Sequence, residues 1–267
     1  MQKALRLGAA SVLALAMAGA AVAAPVPGPP RAVTDPRSIV SEQKLAAPPV
    51  PVPELYANRS AFDAVWSPDG KSVVVAANLS GRFNLWKYST AGGAPVQLTH
   101  SDDRQFGIAI SPDGKWVVFQ SDHGGDEMYD LYAVPLAGGE VVDLTNSPTV
   151  SETGARFSPD GRTLAFAAKA KISPISNVAV MDMAGRKVRQ LTQEKTLDPR
   201  WGPVAFTPDG KGLIADRGDV GSTTGSVWRL GLAGGAAKRL DIPAAGKVRI
   251  SASDISRDGK WLSITSN

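Results

Sequence analysis

The sequence predicts an all-β chain folded as a β-propeller, with four complete four-stranded blades and a truncated fifth. Three observations predict it. The first is a turn motif that recurs along the chain. Ser67-Pro68-Asp69-Gly70 returns as Ser111-Pro112-Asp113-Gly114, Ser158-Pro159-Asp160-Gly161 and Thr207-Pro208-Asp209-Gly210, and in altered form as Ser256-Arg257-Asp258-Gly259. The second is its spacing: the five aspartates stand 44, 47, 49 and 49 residues apart, a period typical of propellers and related repeat arrays. The third is composition. With 27 Gly and 20 Pro in 267 residues, the chain turns too often for long helices.

Each element of the repeat has a physical reason. A short apolar strand precedes the turn, as in Ala64-Val65-Trp66, Ile108-Ala109-Ile110 and Val204-Ala205-Phe206. Within the turn, proline presets φ at the second position, aspartate tolerates the third and glycine takes the left-handed fourth. Asp69, Asp113, Asp160, Asp209 and Asp258, with Gly70, Gly114, Gly161, Gly210 and Gly259, are therefore read as structural turn residues. One isolated carboxylate per blade is not a metal-ligand cluster. A second strand follows (Val73-Val74-Val75, Trp116-Val117-Val118-Phe119, Leu164-Ala165-Phe166, Trp261-Leu262-Ser263-Ile264), then a third (Leu85-Trp86, Leu131-Tyr132, Val178-Ala179, Val227-Trp228). A glycine turn leads to an outer strand ending in Leu98-Thr99, Leu144-Thr145, Leu191-Thr192 or Leu240-Asp241. Four short strands per period make one propeller blade. The blades are placed near residues 62–99, 106–145, 153–192, 201–241 and 250–267, within a propeller spanning 59–267. The six tryptophans are expected in the core between blades.

Two segments precede the repeats. Residues 1–23 read as a secretory signal: Lys3 and Arg6, an apolar run from about Leu7, then Ala21-Val22-Ala23 as a cleavage site. Residues 24–58 form a proline-rich lead that favours extended backbone. The expected compartment is a bacterial periplasm or the outside, with no membrane association after cleavage.

Charge and composition narrow the function. The net charge of +4 falls to +2 without Lys3 and Arg6, too weak a balance to argue for nucleic acid. The absence of cysteine excludes disulfides, thiolate metal sites and cysteine nucleophiles. His100 and His123 are the two histidines, and neither lies near a nucleophile motif. No G-x-S-x-G elbow occurs. The chain is thus expected to carry no catalytic residue, to bind no cofactor and to hold no metal.

The signal followed by Ser-Pro-Asp-Gly blades that end in Leu-Thr resembles two families. One is the prolyl oligopeptidase family of serine peptidases, with its acylaminoacyl- and dipeptidyl-peptidase relatives. The other is the TolB family of periplasmic interaction propellers, in which a mixed α/β domain precedes the propeller. Here only a short proline-rich lead does so, which is similar to the secreted peptidases. That resemblance implies a propeller that covers an α/β-hydrolase domain with a Ser-Asp-His triad and restricts access to short peptides. The fifth repeat reaches Asn267 where a third strand would begin, so the chain is expected to be part of a longer protein whose catalytic domain is its partner in cis. The remaining partner is then a peptide substrate, or a periplasmic protein if the TolB likeness holds.

Within the chain, two residues stand out by register. Two positions before each turn, Val65, Ala109 and Ala205 are apolar, whereas Arg156 and Asp254 are charged. Both are expected to line the central channel. The loops on the face opposite the recurring turn vary freely among repeats and are the expected contact surface.

Overall fold

The middle strands of the repeats are apolar on both faces, and both faces find a partner. The computed structural model describes residues 50–51, 53–54, 57–196, 199–219, 221, 223–243 and 248–266. The expected signal and most of the lead lie outside them. Blade one is built from β1 (Ala61–Trp66), β2 (Ser72–Ala77), β3 (Asn84–Ser89) and β4 (Val96–Gln97). Blade two has β5 (Gln105–Ile110), β6 (Trp116–Ser121), β7 (Asp130–Pro135) and β8 (Val142–Asp143). Blade three has β9 (Val150–Phe157), β10 (Thr163–Ala170), β11 (Ser176–Asp182) and β12 (Val188–Gln190). Blade four has β13 (Pro199–Phe206), β14 (Gly212–Asp219), β15 (Gly225–Gly231) and β16 (Lys238–Arg239), and β17 (Ile250–Ile255) pairs with β18 (Leu262–Ser266) in a two-stranded fifth unit. Every pairing is antiparallel and joins neighbours in sequence.

Because successive side chains in a strand point to opposite faces, each inner blade feeds two cores. In β10, Leu164 and Phe166 pack with Val118, Leu131 and Met181 between blades two and three, while Ala165 packs with Val178, Trp201 and Leu213 between blades three and four. Phe119 and Val117 join Val74 and Leu85 between blades one and two, and Ile214, Val227 and Ile250 fill the junction with the fifth unit. A strand sandwiched on both faces reads as a continuous apolar run, as Val-Val-Val-Ala-Ala of β2 does.

The recurring turn uses more of its residues than proline and glycine. Ser67 Oγ donates to Asp69 Oδ1 at 2.7 Å and accepts the Ser72 N–H at 2.9 Å, and Asp69 Oδ1 also accepts the Lys71 N–H at 3.0 Å. The same bonds form at Ser111–Asp113, Ser158–Asp160, Thr207–Asp209 and Ser256–Asp258. The hydroxyl bond, followed by the backbone N–H, holds each of these carboxyls below the usual aspartate range. Gly70, Gly114, Gly161, Gly210 and Gly259 take φ of 68°, 70°, 70°, 66° and 71°. The proline of one turn also meets the glycine of the next: a Cβ on Gly161 would stand 3.4 Å from Pro112 Cδ.

The tryptophans depart from expectation. Trp201 is buried, and Trp86 and Trp228 are half-buried, but Trp66, Trp116 and Trp261 are 62%, 40% and 75% exposed. Trp116 and Trp261 stand where the second strand leaves its turn, at the rim. Trp66 lies on the face of β1 opposite Val65, and it is Val65 that packs against the core with blade two.

Candidate functional site

The five inner strands β1, β5, β9, β13 and β17 line one cavity of about 830 Å³. Each carries a register shift in its pairing with the second strand, as between Phe62 and Val65 or between Phe106 and Ala109. Such bulges bend a strand and re-aim its side chains. Arg156 and Asp254 both line the cavity, with Asp63 nearby. Arg156 is open to the channel, but its guanidinium is anchored: Nε donates to Val204 O at 2.9 Å and Nη1 to Ala155 O at 2.8 Å. The surrounding protein lowers its pKa by desolvation, and Asp254 and Asp63 oppose that shift. The cavity lining therefore holds one anchored cation and two carboxylates.

Arg156 is one of a set of polar stitches, one at each blade junction. Asp63 Oδ2 accepts the Gly107 N–H at 2.7 Å, although φ of 52° at Asp63 is a left-handed conformation costly for a non-glycine residue. Gln120 Oε1 accepts the Gly154 N–H at 3.2 Å, and its side chain fills the space where a Cβ on Gly107 would stand. Asp216 Oδ1 accepts the Ala252 N–H at 2.9 Å. Of these, sequence reasoning found Arg156 alone. Gln120 and Asp216 share one register, seven residues after the turn aspartate, where blades one and three carry Ala76 and Ala167, so a polar residue in that column was the available signal. Asp63 sits six residues before its turn aspartate, where the next two blades carry Gly107 and Gly154.

At the variable-loop end, a second cavity of about 500 Å³ reaches from Tyr129 across blades three and four to Arg249. Arg217 is pinned there. Its Nη2 lies 3.0 Å from Glu194 Oε2, and its guanidinium carbon lies 5.6 Å and 5.9 Å from the ring centres of Trp201 and Trp228. Burial pushes the Glu194 carboxyl up, but hydrogen bonds from Arg217, Thr196 and Trp201 outweigh it and leave the pKa lowered. Asp219 accepts from both N–H groups and both hydroxyls of Thr223 and Thr224, led by the Thr223 hydroxyl, and its pKa falls to about 2. The Arg217-Gly218-Asp219 tripeptide is thus committed internally at both charged ends. Across the same end, Arg104 stacks at 5.2, 5.6 and 4.8 Å from the rings of Phe62, Phe83 and Phe106.

The turn aspartates are each held by their own turn and do not converge. His100 is exposed. His123 Nε2 is 3.0 Å from the Tyr132 hydroxyl and its Nδ1 is 3.8 Å from Asp103. The terminal Thr of the Leu-Thr pair has a use that the sequence did not suggest: Thr99, Thr145 and Thr192 each accept, at 2.9 Å, the N–H of Leu85, Leu131 and Val178 in the third strand.

No family model matches the chain. The chain is 29% identical over 215 residues to the uncharacterized peptidase YuxL of Bacillus subtilis, covering 78% of this chain and 30% of that protein. Among solved structures, TolB from Acinetobacter baumannii superposes with a TM-score of 0.54 at 23% identity, covering 78% of this chain and 47% of that one. A prolyl endopeptidase superposes with a TM-score of 0.56 at 13% identity, covering 74% and 32%. The chain therefore spans half or less of the length of these relatives. The repeats, the blades and these likenesses lead to one conclusion: the chain is a β-propeller, similar in fold to the propellers of TolB and of a prolyl endopeptidase.

Proposed function

We propose that the chain is the propeller portion of a secreted or periplasmic serine peptidase, in which it gates peptide access and docks an α/β-hydrolase domain. The observation that carries this reading is the similarity to YuxL, a protein named as a peptidase, over 215 residues that make up 30% of its length. The cavity is in keeping with it: the inner strands line a space of about 830 Å³, of the order a short peptide segment would occupy. The signal-like residues 1–23 support export. In this role the chain supplies positioning and size selection, and the nucleophile comes from the partner domain.

The TolB superposition favours a second reading, a periplasmic protein-interaction propeller without a catalytic partner. Reading the coding sequence beyond Asn267 separates the two. The peptidase reading expects an in-frame G-x-S-x-G elbow followed by Asp and His, and a full product that cleaves short chromogenic peptides until the elbow serine is changed to alanine. A reading frame that closes after one more blade, with a product inactive on every peptide, overturns it in favour of the second.

A further inference from the structure

The repeat supplies its own control for one departure. At the top of each blade junction, the residue opposite the end of the second strand begins a polar cluster. That position holds Asn84 (paired with Ala77), Asp130 (paired with Ser121) and Asn177 (paired with Ala168). In all three blades its Oδ1 accepts the N–H of a residue in the blade-to-blade linker: Ser101 at 2.8 Å, Ser147 at 2.8 Å and Glu194 at 2.7 Å. The next inner strand contributes Gln105 to the first junction and Glu152 to the second. The two are equivalent: Gln105 N–H donates to Phe83 O at 3.0 Å and Glu152 N–H donates to Tyr129 O at 2.7 Å.

The amide pair of the first junction has become an acid pair in the second. Asn84 uses its Nδ2 to donate to Ser101 O at 3.0 Å, and Asp130 has no such donor when ionised. Glu152 is 4% exposed and Asp130 8%. Ser147 Oγ donates to Glu152 Oε1 and also lies 3.3 Å from Asp130 Oδ1, which the Thr145 hydroxyl approaches at 3.2 Å. Glu152 Oε2 is fully buried and meets no donor among the described residues. The titratable group that faces it across the junction is Asp130 of β7. The linker adds the Thr145 and Ser147 hydroxyls, and on β9 the Ser151 hydroxyl turns away to the Tyr129 N–H at 3.1 Å. Ionising both of two buried carboxyls that face one another is costly, so the closed junction favours a proton on Glu152.

We propose that Asp130 and Glu152 form a proton-operated latch between blades two and three, closed while Glu152 holds a proton and loosened when it is lost. Tyr129, Ser151 and Thr153, which flank the pair in β9 and before β7, line the cavity at the variable-loop end, so the latch governs how firmly that wall is held. The Glu152 carboxyl is pushed up to about 7 by burial, with the Ser147 hydroxyl opposing and the Asp130 charge adding, which places the change at the pH of an exported protein's surroundings. The latch belongs to the propeller itself and stands under either reading of the parent protein.

Hydrogen exchange on the full chain tests it, at about pH 6 and about pH 8.5, with rates corrected for intrinsic pH dependence. With a carboxyl that titrates near 7 when closed and near its ordinary value when open, opening of the second junction, read at Leu131 and Glu152, rises about tenfold over that range. The first junction, read at Leu85 and Gln105, stays level. The double variant Asp130→Asn with Glu152→Gln copies the first junction and removes the pH response. If it fails to fold, Glu152→Gln alone gives Asp130 a permanent donor and serves the same purpose. Equal responses at both junctions, no response at either, or a response that survives the substitution overturns the latch. Protection restored at about pH 8.5 by added calcium overturns it too, in favour of a cation site.

Discussion

Gly161 shows how one residue serves two demands. Its φ of 70° is left-handed, and a Cβ would stand 3.4 Å from the proline of the preceding turn. A Gly161→Val variant should lose about 1–3 kcal/mol from backbone strain, read as an earlier urea midpoint. A variant as stable as its parent would show that the turn does not need the left-handed conformation. Thr192 makes the complementary case. Its buried hydroxyl accepts the Val178 N–H at 2.9 Å and donates to Asn177 Oδ1 at 2.9 Å. Thr192→Val keeps the shape and strands both partners, so it should cost about 1–3 kcal/mol and speed exchange at Val178. The glycine was legible from the sequence because its need is local to four residues. The threonine's role was not, because its partners lie 14 and 15 residues back, across a loop. The recurrence of Leu-Thr in three blades was the available signal.

At the scale of the element, what the sequence made legible was strand order. Each strand is short, its turn chemistry is local, and the period of the turn aspartates fixes the blade. What it could not show was which side chains cross between blades. Gln120 and Asp216 close two junctions from one shared register of the second strand, and Asp63 and Arg156 close the other two from registers of their own. Arg156 was visible because it and Asp254 are charges in a column that is apolar in the other three blades. Tryptophan misled for a related reason: a large apolar ring suits either the core or a rim, and three of the six stand at exposed positions. The junctions also predict an order of local stability. β6, β7, β10 and β11 are buried on both faces, whereas the side chains of β18 are largely exposed. In stacked repeats stability is roughly a sum of unit and neighbour terms. Exchange should therefore be slowest in β6, β7, β10 and β11 and fastest in β18, and uniform protection throughout would contradict this modular account.

For the whole molecule, two sets of carboxyls pull the pH dependence in opposite directions. The turn aspartates are held below their ordinary value, so their stabilisation is present above about pH 4 and is lost as pH falls further. Glu152 is raised to about 7, so its contribution is complete below its ordinary value of 4.5 and is lost as pH rises through 7. Half-buried Asp216 is shifted upward as well, by desolvation, and acts in the same sense as Glu152. The melting temperature should peak on the acid side of neutrality, at about pH 5–6, and fall in both directions. A profile that is flat from about pH 5 to pH 8 would contradict the reading of Glu152. The central claim is that this propeller gates a catalytic domain rather than acting itself. The measurement that tests it most directly is labelling by a fluorophosphonate probe, applied in parallel to the chain of 267 residues and to the product of the whole reading frame. The account predicts no label on the chain, and label on the whole product that disappears when the elbow serine is changed to alanine. Label on the chain itself, or none on either product, would contradict it.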